Sequence, residues 1–240
     1  MDQYSRTRFL LGSAAMEKLN HPPVAVFGLG GVGGYAVEAL ARSGVGQLTL
    51  VDHDTVSLTN LNRQLLATHQ TLGLPKVEAA AQRVRSIDPA IRVNARREFF
   101  LPDTAAAFDF SQYDYVIDAI DTVSGKLALI EACKAAGTPI LCALGAGNKL
   151  DPTAFRVADI SQTRVCPLAR ILRKECRKRG IGKLKVVYSE EDPIVPDLPA
   201  DDPAWQEMPE GRNALPGSVA FVPSVMGLIL AGEAIRDLIQ

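Results

Sequence analysis

The sequence predicts an α/β fold with a doubly wound, mostly parallel, Rossmann-like sheet. Up to residue 144, apolar runs typical of buried strands alternate with segments of helical periodicity. A glycine-rich turn follows the first apolar run, and an acidic residue follows the second. This alternation is typical of βαβ units, whose successive strands lie parallel. With 240 residues, 47% of them hydrophobic, the chain can form one large domain with a substantial core.

The predicted elements follow in order along the chain. The strand candidates are 24–27, 47–51, 91–93, 115–118 and 139–144, and the helix candidates are 31–43, 75–87 and 122–136. Later strand candidates at 153–158, 184–189 and 218–222 lack regular helical partners. We therefore expect the late strands to extend the sheet in mixed orientation. The final apolar run from Val219 to Ile235 is short for a span of ~20 residues and predicts a buried or dimer-packing helix.

The glycine turn after the first strand candidate indicates a nucleotide site. Gly28 permits a tight turn out of the strand, Gly30 lets the backbone approach phosphate, and Gly33 allows close packing of strand and helix. The helix that follows directs its free N–H groups and positive end toward phosphates. Asp52, after the second strand candidate, can accept a hydrogen bond from a ribose hydroxyl. The alternative is an ordinary Gly-rich βα turn that binds no nucleotide.

Polar residues after Asp52 favour a triphosphate over a dinucleotide. They are Asp54, Asn60, Arg63 and Lys76, with Asp121 after a later strand candidate. A triphosphate attacked at its α-phosphorus gathers negative charge that fixed cations and Mg2+ stabilise. A dinucleotide enzyme has little use for the cations. Either cation alone would more often be solvated, whereas Arg63 and Lys76 together favour phosphate binding.

These motifs resemble the ThiF/MoeB/HesA superfamily of ubiquitin-activating-like adenylating enzymes. The resemblance rests on the glycine turn and on Asp52-His-Asp54-Thr-Val-Ser-Leu-Thr-Asn60-Leu-Asn-Arg63-Gln64, Gly73-Leu-Pro-Lys76, Tyr115-Val-Ile-Asp118-Ala-Ile-Asp121 and Tyr4-Ser-Arg6. It implies an ATP loop of Gly28, Gly30, Gly31 and Gly33, a ribose-binding Asp52 with Asp54 nearby, phosphate ligands Asn60, Arg63 and Lys76, an Mg2+ ligand Asp121, and Arg6 acting from a partner subunit. Arg63, Lys76, Asp121 and Arg6 are then the catalytic residues.

The cysteines bear on the type of adenylating enzyme. The four are Cys133, Cys142, Cys166 and Cys176, and no two are separated by two residues. The paired Cys-x-x-Cys zinc site of the MoeB and ThiF branches therefore cannot be built. Cys133 and Cys142 are expected to be buried. Cys166 and Cys176 lie in a basic segment that could lower a thiol pKa, which leaves a reactive thiol open.

A basic segment follows the predicted sheet. Nine cations and one acid lie between Arg164 and Lys185, in a chain of net charge −1. The pattern predicts a helix from Pro167 to Gly180. Its cations suit a phosphate backbone, so we expect nucleic-acid contacts from Arg170, Arg173, Lys174, Arg177 and Lys178. A solvated helix face is the alternative.

Motifs in the second half narrow the resemblance. They are Pro139-Ile-Leu-Cys-Ala-Leu-Gly145-Ala-Gly147, Cys166-Pro-Leu-Ala-Arg170, Lys185-Val-Val-Tyr-Ser-Glu190-Glu191 and the segment 217–227. They resemble the tRNA threonylcarbamoyladenosine dehydratase branch, although Asn148 stands where the branch commonly has glycine. The resemblance implies that ATP adenylates the threonylcarbamoyl carboxylate of threonylcarbamoyladenosine in tRNA, with loss of pyrophosphate. The neighbouring carbamoyl group then closes a ring and expels AMP. Such an intramolecular attack needs no enzyme nucleophile.

The resemblance covers the chain from Arg6 onward. It implies that residues 1–240 form a single ThiF-like adenylating domain and that the protein is a homodimer. It leaves open whether the protein needs a monovalent cation (K+ or Na+) and whether it binds a sulfur-transfer protein partner.

Other function classes stay open as well. One is an adenylyltransferase for the C-terminal glycine of a ubiquitin-like sulfur carrier, which the missing Cys-x-x-Cys pairs disfavour. Another is a nicotinamide oxidoreductase or a silent nucleotide-binding scaffold, which Arg63, Lys76 and Asp121 disfavour.

Composition adds two further expectations. The segment from Glu190 to Gly217 is rich in proline and acid, which predicts a flexible loop. The polar N-terminus predicts no signal peptide, and unpaired cysteines with an ATP site predict a cytoplasmic protein with no membrane association.

Overall fold

The structure is a computed structural model that describes residues 1–195, 197–199, 201–202 and 217–240. Within these residues, seven strands form one sheet with the order β3-β2-β1-β4-β5-β7-β6. The strands are β1 (Pro23–Phe27), β2 (Gln47–Val51), β3 (Arg92–Arg96), β4 (Tyr115–Asp118), β5 (Ile140–Ala143), β6 (Phe155–Asp159) and β7 (Lys185–Ser189). The helices are α1 (Ser5–Leu11), α2 (Ser13–Asn20), α3 (Gly33–Arg42), α4 (Lys76–Ile87), α5 (Val123–Ala136), α6 (Pro167–Lys178) and α7 (Pro223–Ile239).

Two hydrophobic cores cover the two faces of the sheet. Helices α3, α4 and α7 pack on one face, and α5 and α6 pack on the other. The central strand β1 shows the alternation directly, since Val24 and Val26 join the first core while Ala25 and Phe27 join the second. Burial on both faces explains why the central strands are nearly continuous apolar runs.

The strand pairing confirms the predicted doubly wound, mostly parallel sheet with a mixed end. β1 pairs in parallel with both β2 and β4, and β5 pairs in parallel with β4 and β7. Only the edge strand β6 is antiparallel, to β7, among the described strands. The chain leaves β1 for β2 on one side and reaches β4 on the other. Ligands of open α/β sheets bind at the carboxyl ends of the strands at such a switch point.

Two of the three late strand candidates are confirmed, and one is wrong. β6 and β7 correspond to the candidates at 153–158 and 184–189. Residues 218–222 form no strand but an irregular segment and a turn that lead into α7. Pro223 is the first residue of that helix, a position that suits proline because no N–H donor is lost there.

Among the described residues, none of the helices combines the length and the hydropathy that a membrane span requires. The predicted loop from Glu190 to Gly217 begins with irregular backbone after β7. Most of its remaining residues lie outside those that the structure describes, so its flexibility stays a prediction.

Candidate active site

A cavity of about 320 Å³ opens at the carboxyl ends of β1, β2 and β4. Its volume lies at the lower end of the range for small-molecule sites, ~300–1,000 Å³. Eight of the predicted site residues line it: Gly28, Gly30, Asp52, Asp54, Asn60, Arg63, Lys76 and Asp121. The switch point of the sheet thus brings together residues that are far apart in the sequence.

The glycine turn is shaped by two close approaches. Gly28 has φ +87°, and a Cβ on it would lie 2.6 Å from the carbonyl oxygen of Ala119. A Cβ on Gly33 would lie 1.7 Å from the carbonyl oxygen of Gly28, so only glycine lets α3 begin this close to the strand. Gly30 lines the cavity, and a Cβ on it would meet only the Gln64 side chain, at an ordinary contact distance of 3.8 Å. Gly31 lies beside Pro223 and, like Gly33, does not line the cavity.

Asp52 joins the end of β2 to the glycine turn. Its Oδ2 accepts a hydrogen bond of 2.6 Å from the N–H of Leu29, and its Oδ1 accepts one of 2.8 Å from the N–H of Asp54. Asp52 is almost fully buried yet lines the cavity. A carboxylate offers about four acceptor positions. Two of these are used, so Asp52 can also accept from a ribose hydroxyl.

Lys76 lies next to Asp54 because the chain between them folds back on itself. Thr55 and Pro75 form an antiparallel bridge, and the N–H of Lys76 donates to the carbonyl of Asp54 over 2.9 Å. The Lys76 ammonium is buried and lies 2.7 Å from Asp54 Oδ2, which is half-exposed. A cation at the first residue of a helix is disfavoured by the helix dipole. Its partner carboxylate offsets that cost, and a bound phosphate would offset it further.

Asn60 ends a short 3₁₀ turn (Leu58–Asn60), and Arg63 lies in the turn that follows it, within the segment that the bridge between Thr55 and Pro75 closes. Arg63 Nη1 donates to the carbonyl of Thr59 and to Asn62 Oδ1, both over 2.9 Å. Burial lowers the pKa of Arg63, but arginine keeps its proton in proteins. Asn60 is buried, and its Oδ1 accepts from the N–H of Ser57 over 3.2 Å. The turn therefore holds a fixed positive charge at the wall of the cavity.

Asp121 lies in the short connection between β4 and α5, at the side of the cavity opposite β2. It is exposed and lines the cavity. Mg2+ is usually bound by one or two carboxylates together with substrate phosphates. A solvent-accessible carboxylate that shares a cavity with Arg63 and Lys76 fits that pattern.

The sequence reasoning missed an aromatic end of the cavity. The rings of His53 and Phe99 stack with their centroids 3.9 Å apart, and both side chains line the cavity together with Phe100. The pair Phe99 and Phe100 after β3 was an available signal, because β3 lies beside β2 and ends at the same edge. An aromatic end and a cationic end match the base and the phosphates of a nucleotide.

Arg6 lies outside this cavity. It is exposed on α1 and is not among the cavity-lining residues in the described part of the chain. Tyr4 anchors the N-terminal segment, since its hydroxyl donates to Asp88 Oδ2 over 2.7 Å and to the carbonyl of Ala41 over 3.2 Å. The predicted role of Arg6 therefore requires a second chain.

Helix α6 presents an exposed basic face, which consists of Arg170, Lys174, Arg177 and Lys178. Ala169, Leu172 and Cys176 on its other side are buried in the core. Arg173 differs from the rest. It is half-buried, and its Nη1 donates to the carbonyl of Thr163 and, over 2.7 Å, to the Thr163 hydroxyl. Arg173 thus holds the preceding turn, while the exposed basic face remains accessible to a polyanion.

All four cysteines are buried and free. Burial raises the pKa of Cys133 to about 12 and raises the pKa of Cys142 well above its usual value. Burial also raises the pKa of Cys176, an effect that outweighs the lowering by nearby Arg179. The basic segment, which could have lowered this thiol pKa, does not do so, because Cys176 faces the core and not the cations.

Comparison with known proteins points to one family. The chain is 43% identical over 243 residues to the tRNA threonylcarbamoyladenosine dehydratase of Bacillus subtilis, covering 100% of this chain and 96% of that protein. The crystal structure of the Escherichia coli tRNA N6-threonylcarbamoyladenosine dehydratase, TcdA, in complex with ATP superposes with a TM-score of 0.86. It shares 34% identity and covers 98% of this chain and 93% of its own.

A second relative has a different activity in its name. The molybdopterin-synthase adenylyltransferase of E. coli is 37% identical over 161 residues, which cover 66% of this chain and 64% of that protein. By contrast, the similarity to the B. subtilis dehydratase covers the whole chain and so includes the second half, where the basic face lies. Residues 4–240 match the ThiF family, and the chain belongs to that family.

Proposed function

We propose that this chain, as a single adenylating domain over residues 1–240, is an ATP-dependent dehydratase that acts on threonylcarbamoyladenosine in tRNA. The observation that carries the proposal is the full-length similarity to a dehydratase of this kind, joined to a cavity with the parts of an ATP site. We further propose that the reaction takes place in the cytoplasm, where ATP and tRNA are both available.

The proposed reaction has two steps. In the first, the threonylcarbamoyl carboxylate of the tRNA attacks the α-phosphorus of ATP, an acyl–AMP bond forms, and pyrophosphate leaves. In the second, the neighbouring carbamoyl group attacks the activated carbonyl carbon, loses a proton and expels AMP. Holding the two groups in one molecule gives the ring closure a high effective concentration. The buried thiols are consistent with a reaction that needs no cysteine nucleophile.

The cavity residues stabilise the charge that develops in the first step. Arg63 and Lys76 supply two fixed positive charges for the phosphates, while Asp52 and the glycine turn orient the nucleotide. Asp121 would hold Mg2+, which when bound neutralises negative charge on the departing pyrophosphate. His53 and Phe99 offer aromatic surface to the base.

The adenylation of a sulfur-carrier protein is the second candidate. Its support is the shared nucleotide site, which the molybdopterin-synthase relative also matches. Two observations favour the tRNA reaction instead. No two cysteines have the Cys-x-x-Cys spacing needed for the zinc site, and the basic face suits a nucleic acid rather than a small carrier protein.

A reconstituted reaction tests the proposed function. The purified protein with ATP, Mg2+ and tRNA that carries threonylcarbamoyladenosine should give a nucleoside lighter by one water, with AMP released in equal amount. The same tRNA without the modification is the control and should release no AMP. Turnover of ATP with a carrier protein and none with the modified tRNA would contradict the proposal. Repeating the reaction without K+ and Na+, or with a sulfur-transfer protein added, tests those two further requirements.

We also propose that the protein is a homodimer in which Arg6 reaches the phosphate site of the partner. Phe9 and Leu10, on the same helix as Arg6, are 76% and 88% exposed. Large apolar side chains exposed together often mark a surface that another protein covers. A second copy that covers this helix would bring Arg6 close to a cavity that it cannot line in its own chain.

Mixed dimers test this arrangement. Arg6→Ala and Lys76→Ala chains should each be inactive alone. If Arg6 acts on the partner's site, a mixed dimer contains one complete site, formed by Lys76 of the first chain and Arg6 of the second. Random mixing should therefore restore about a quarter of the wild-type turnover, if the sites act independently. No recovery after verified subunit exchange would contradict the proposal.

A further inference from the structure

A buried ion pair adjoins the cavity segment that carries Asp121. Lys126 is 1% exposed, Asp118 is fully buried, and Lys126 Nζ lies 2.9 Å from Asp118 Oδ2. Removing two charges from water is costly, and well-packed apolar residues in their place are often equally stable or more stable. Stability alone therefore does not account for the pair.

The position of Lys126 on its helix adds to that cost. Lys126 is the fourth residue of α5, and its N–H donates to the carbonyl of Thr122 over 3.0 Å. The positive end of the helix dipole disfavours a cation in this first turn. A lysine that is both buried and close to a helix N-terminus requires a carboxylate partner. Asp118, at the end of β4, provides it.

Asp118 ties the cavity wall to the helix. Its Oδ2 accepts from Lys126, and its Oδ1 accepts from the N–H of Ile120 over 3.0 Å. The intervening Ala119 donates its own N–H to the carbonyl of Phe27 over 2.8 Å. This short segment is thus fixed to β1, to β4 and, through the ion pair, to α5. Asp121 comes directly after it.

We propose that Asp118 and Lys126 form a positioning pair that fixes the Asp121 carboxylate at the phosphate site and thereby sets the affinity for Mg2+. The inference rests on the proposed function, in which Asp121 binds Mg2+. Lys126 does not line the cavity, so it acts through the segment it anchors. Loss of the groups that orient a metal ligand typically lowers metal affinity or activity about 10–100-fold.

A double variant tests the pair without leaving a buried charge alone. In Asp118→Asn/Lys126→Met the asparagine oxygen can still accept from Ile120, but the charged link to α5 is lost. Binding of Mn2+ to the protein with a non-hydrolysable ATP analogue is followed by electron paramagnetic resonance. We expect the Mn2+ affinity to fall about tenfold or more. Binding of the analogue without metal should stay unchanged.

Two control variants separate this inference from its alternatives. Lys185→Met makes the same side-chain change in an ion pair that joins β7 to Glu233 of α7, outside the cavity lining. It should leave Mn2+ affinity unchanged. Asp121→Asn tests the proposed function itself. If Mn2+ binding persists in that variant, the metal role of Asp121 fails whatever the ion pair does.

Two results would overturn the positioning role. One is a folded double variant with wild-type Mn2+ affinity, in a protein where Asp121→Asn abolishes binding. The other is a double variant that does not fold, because the pair would then be a requirement of the fold itself. Circular dichroism and the melting temperature distinguish these two results.

Discussion

Replacing either fixed cation of the cavity should remove most of the activity while the fold survives. For Arg63→Ala or Lys76→Ala we expect turnover of ATP with modified tRNA to fall about 10²–10³-fold or more, the loss typical when one group that stabilises transition-state charge is removed. Each side chain supplies a positive charge at the cavity wall, and the remaining cation cannot occupy both positions. Single-turnover AMP release measures the effect on the chemical steps.

The structural cost of these changes is small. Lys76 leaves behind Asp54, which is half-exposed and can be solvated. Within the described part of the chain, Arg63 bonds only to Thr59 and Asn62 of its own turn. We therefore expect the melting temperature to change by only a few degrees, about 2–4 °C for each kcal/mol lost in a domain of this size. Arg83→Ala is the control. It removes a surface partner of Glu38 outside the cavity and should leave turnover unchanged. Wild-type turnover in either cavity variant would contradict the phosphate role.

Much of the fold could be predicted because the central strands are buried on both faces. The runs 24–27 and 115–117 are continuously apolar, and in the run 47–51 only Gln47 and Thr49 are polar. The elements at the edge of the sheet were harder to predict. β3 spans Arg92–Arg96 and is mostly exposed, so only its first apolar residues gave a signal. The apolar segment 218–222 has the composition of a strand, and we predicted one there. Its residue Val222 is instead buried in the core next to α7.

The candidate site was predictable where its residues follow strand ends. Asp52 and Asp121 come after β2 and β4, whose carboxyl ends meet at one edge of the sheet. The contact between His53 and Phe99 depends on the register of β2 and β3, which one sequence does not reveal. The inward turn of Arg173 was equally hidden, since a helix pattern does not tell which of several cations finds a backbone acceptor.

Charge reversal on the basic face of α6 should weaken tRNA binding far more than ATP binding. For Arg170→Glu/Arg177→Glu we expect the Kd for tRNA to rise about tenfold or more near physiological salt, because counterion release from phosphates dominates such binding. The plot of log Kd against log salt concentration should lose about 0.7–0.9 of its slope for each phosphate contact removed. The Kd for ATP should not change, since neither residue lines the cavity. Filter binding over a salt series measures both quantities.

Two further variants make this prediction specific to the face rather than to net charge. Arg85→Glu/Arg92→Glu changes the charge equally, on α4 and β3 at the other end of the sheet, and should leave the slope unchanged. Arg173→Gln should lower the melting temperature, because Thr163 loses the hydrogen bonds from Arg173, but should alter the slope less than the loss of an exposed arginine. Equal weakening of tRNA binding by both double variants would show a general charge effect and would remove the basic face of α6 as the tRNA site. Loss of ATP and tRNA affinity together would instead indicate misfolding, which the melting temperature would reveal.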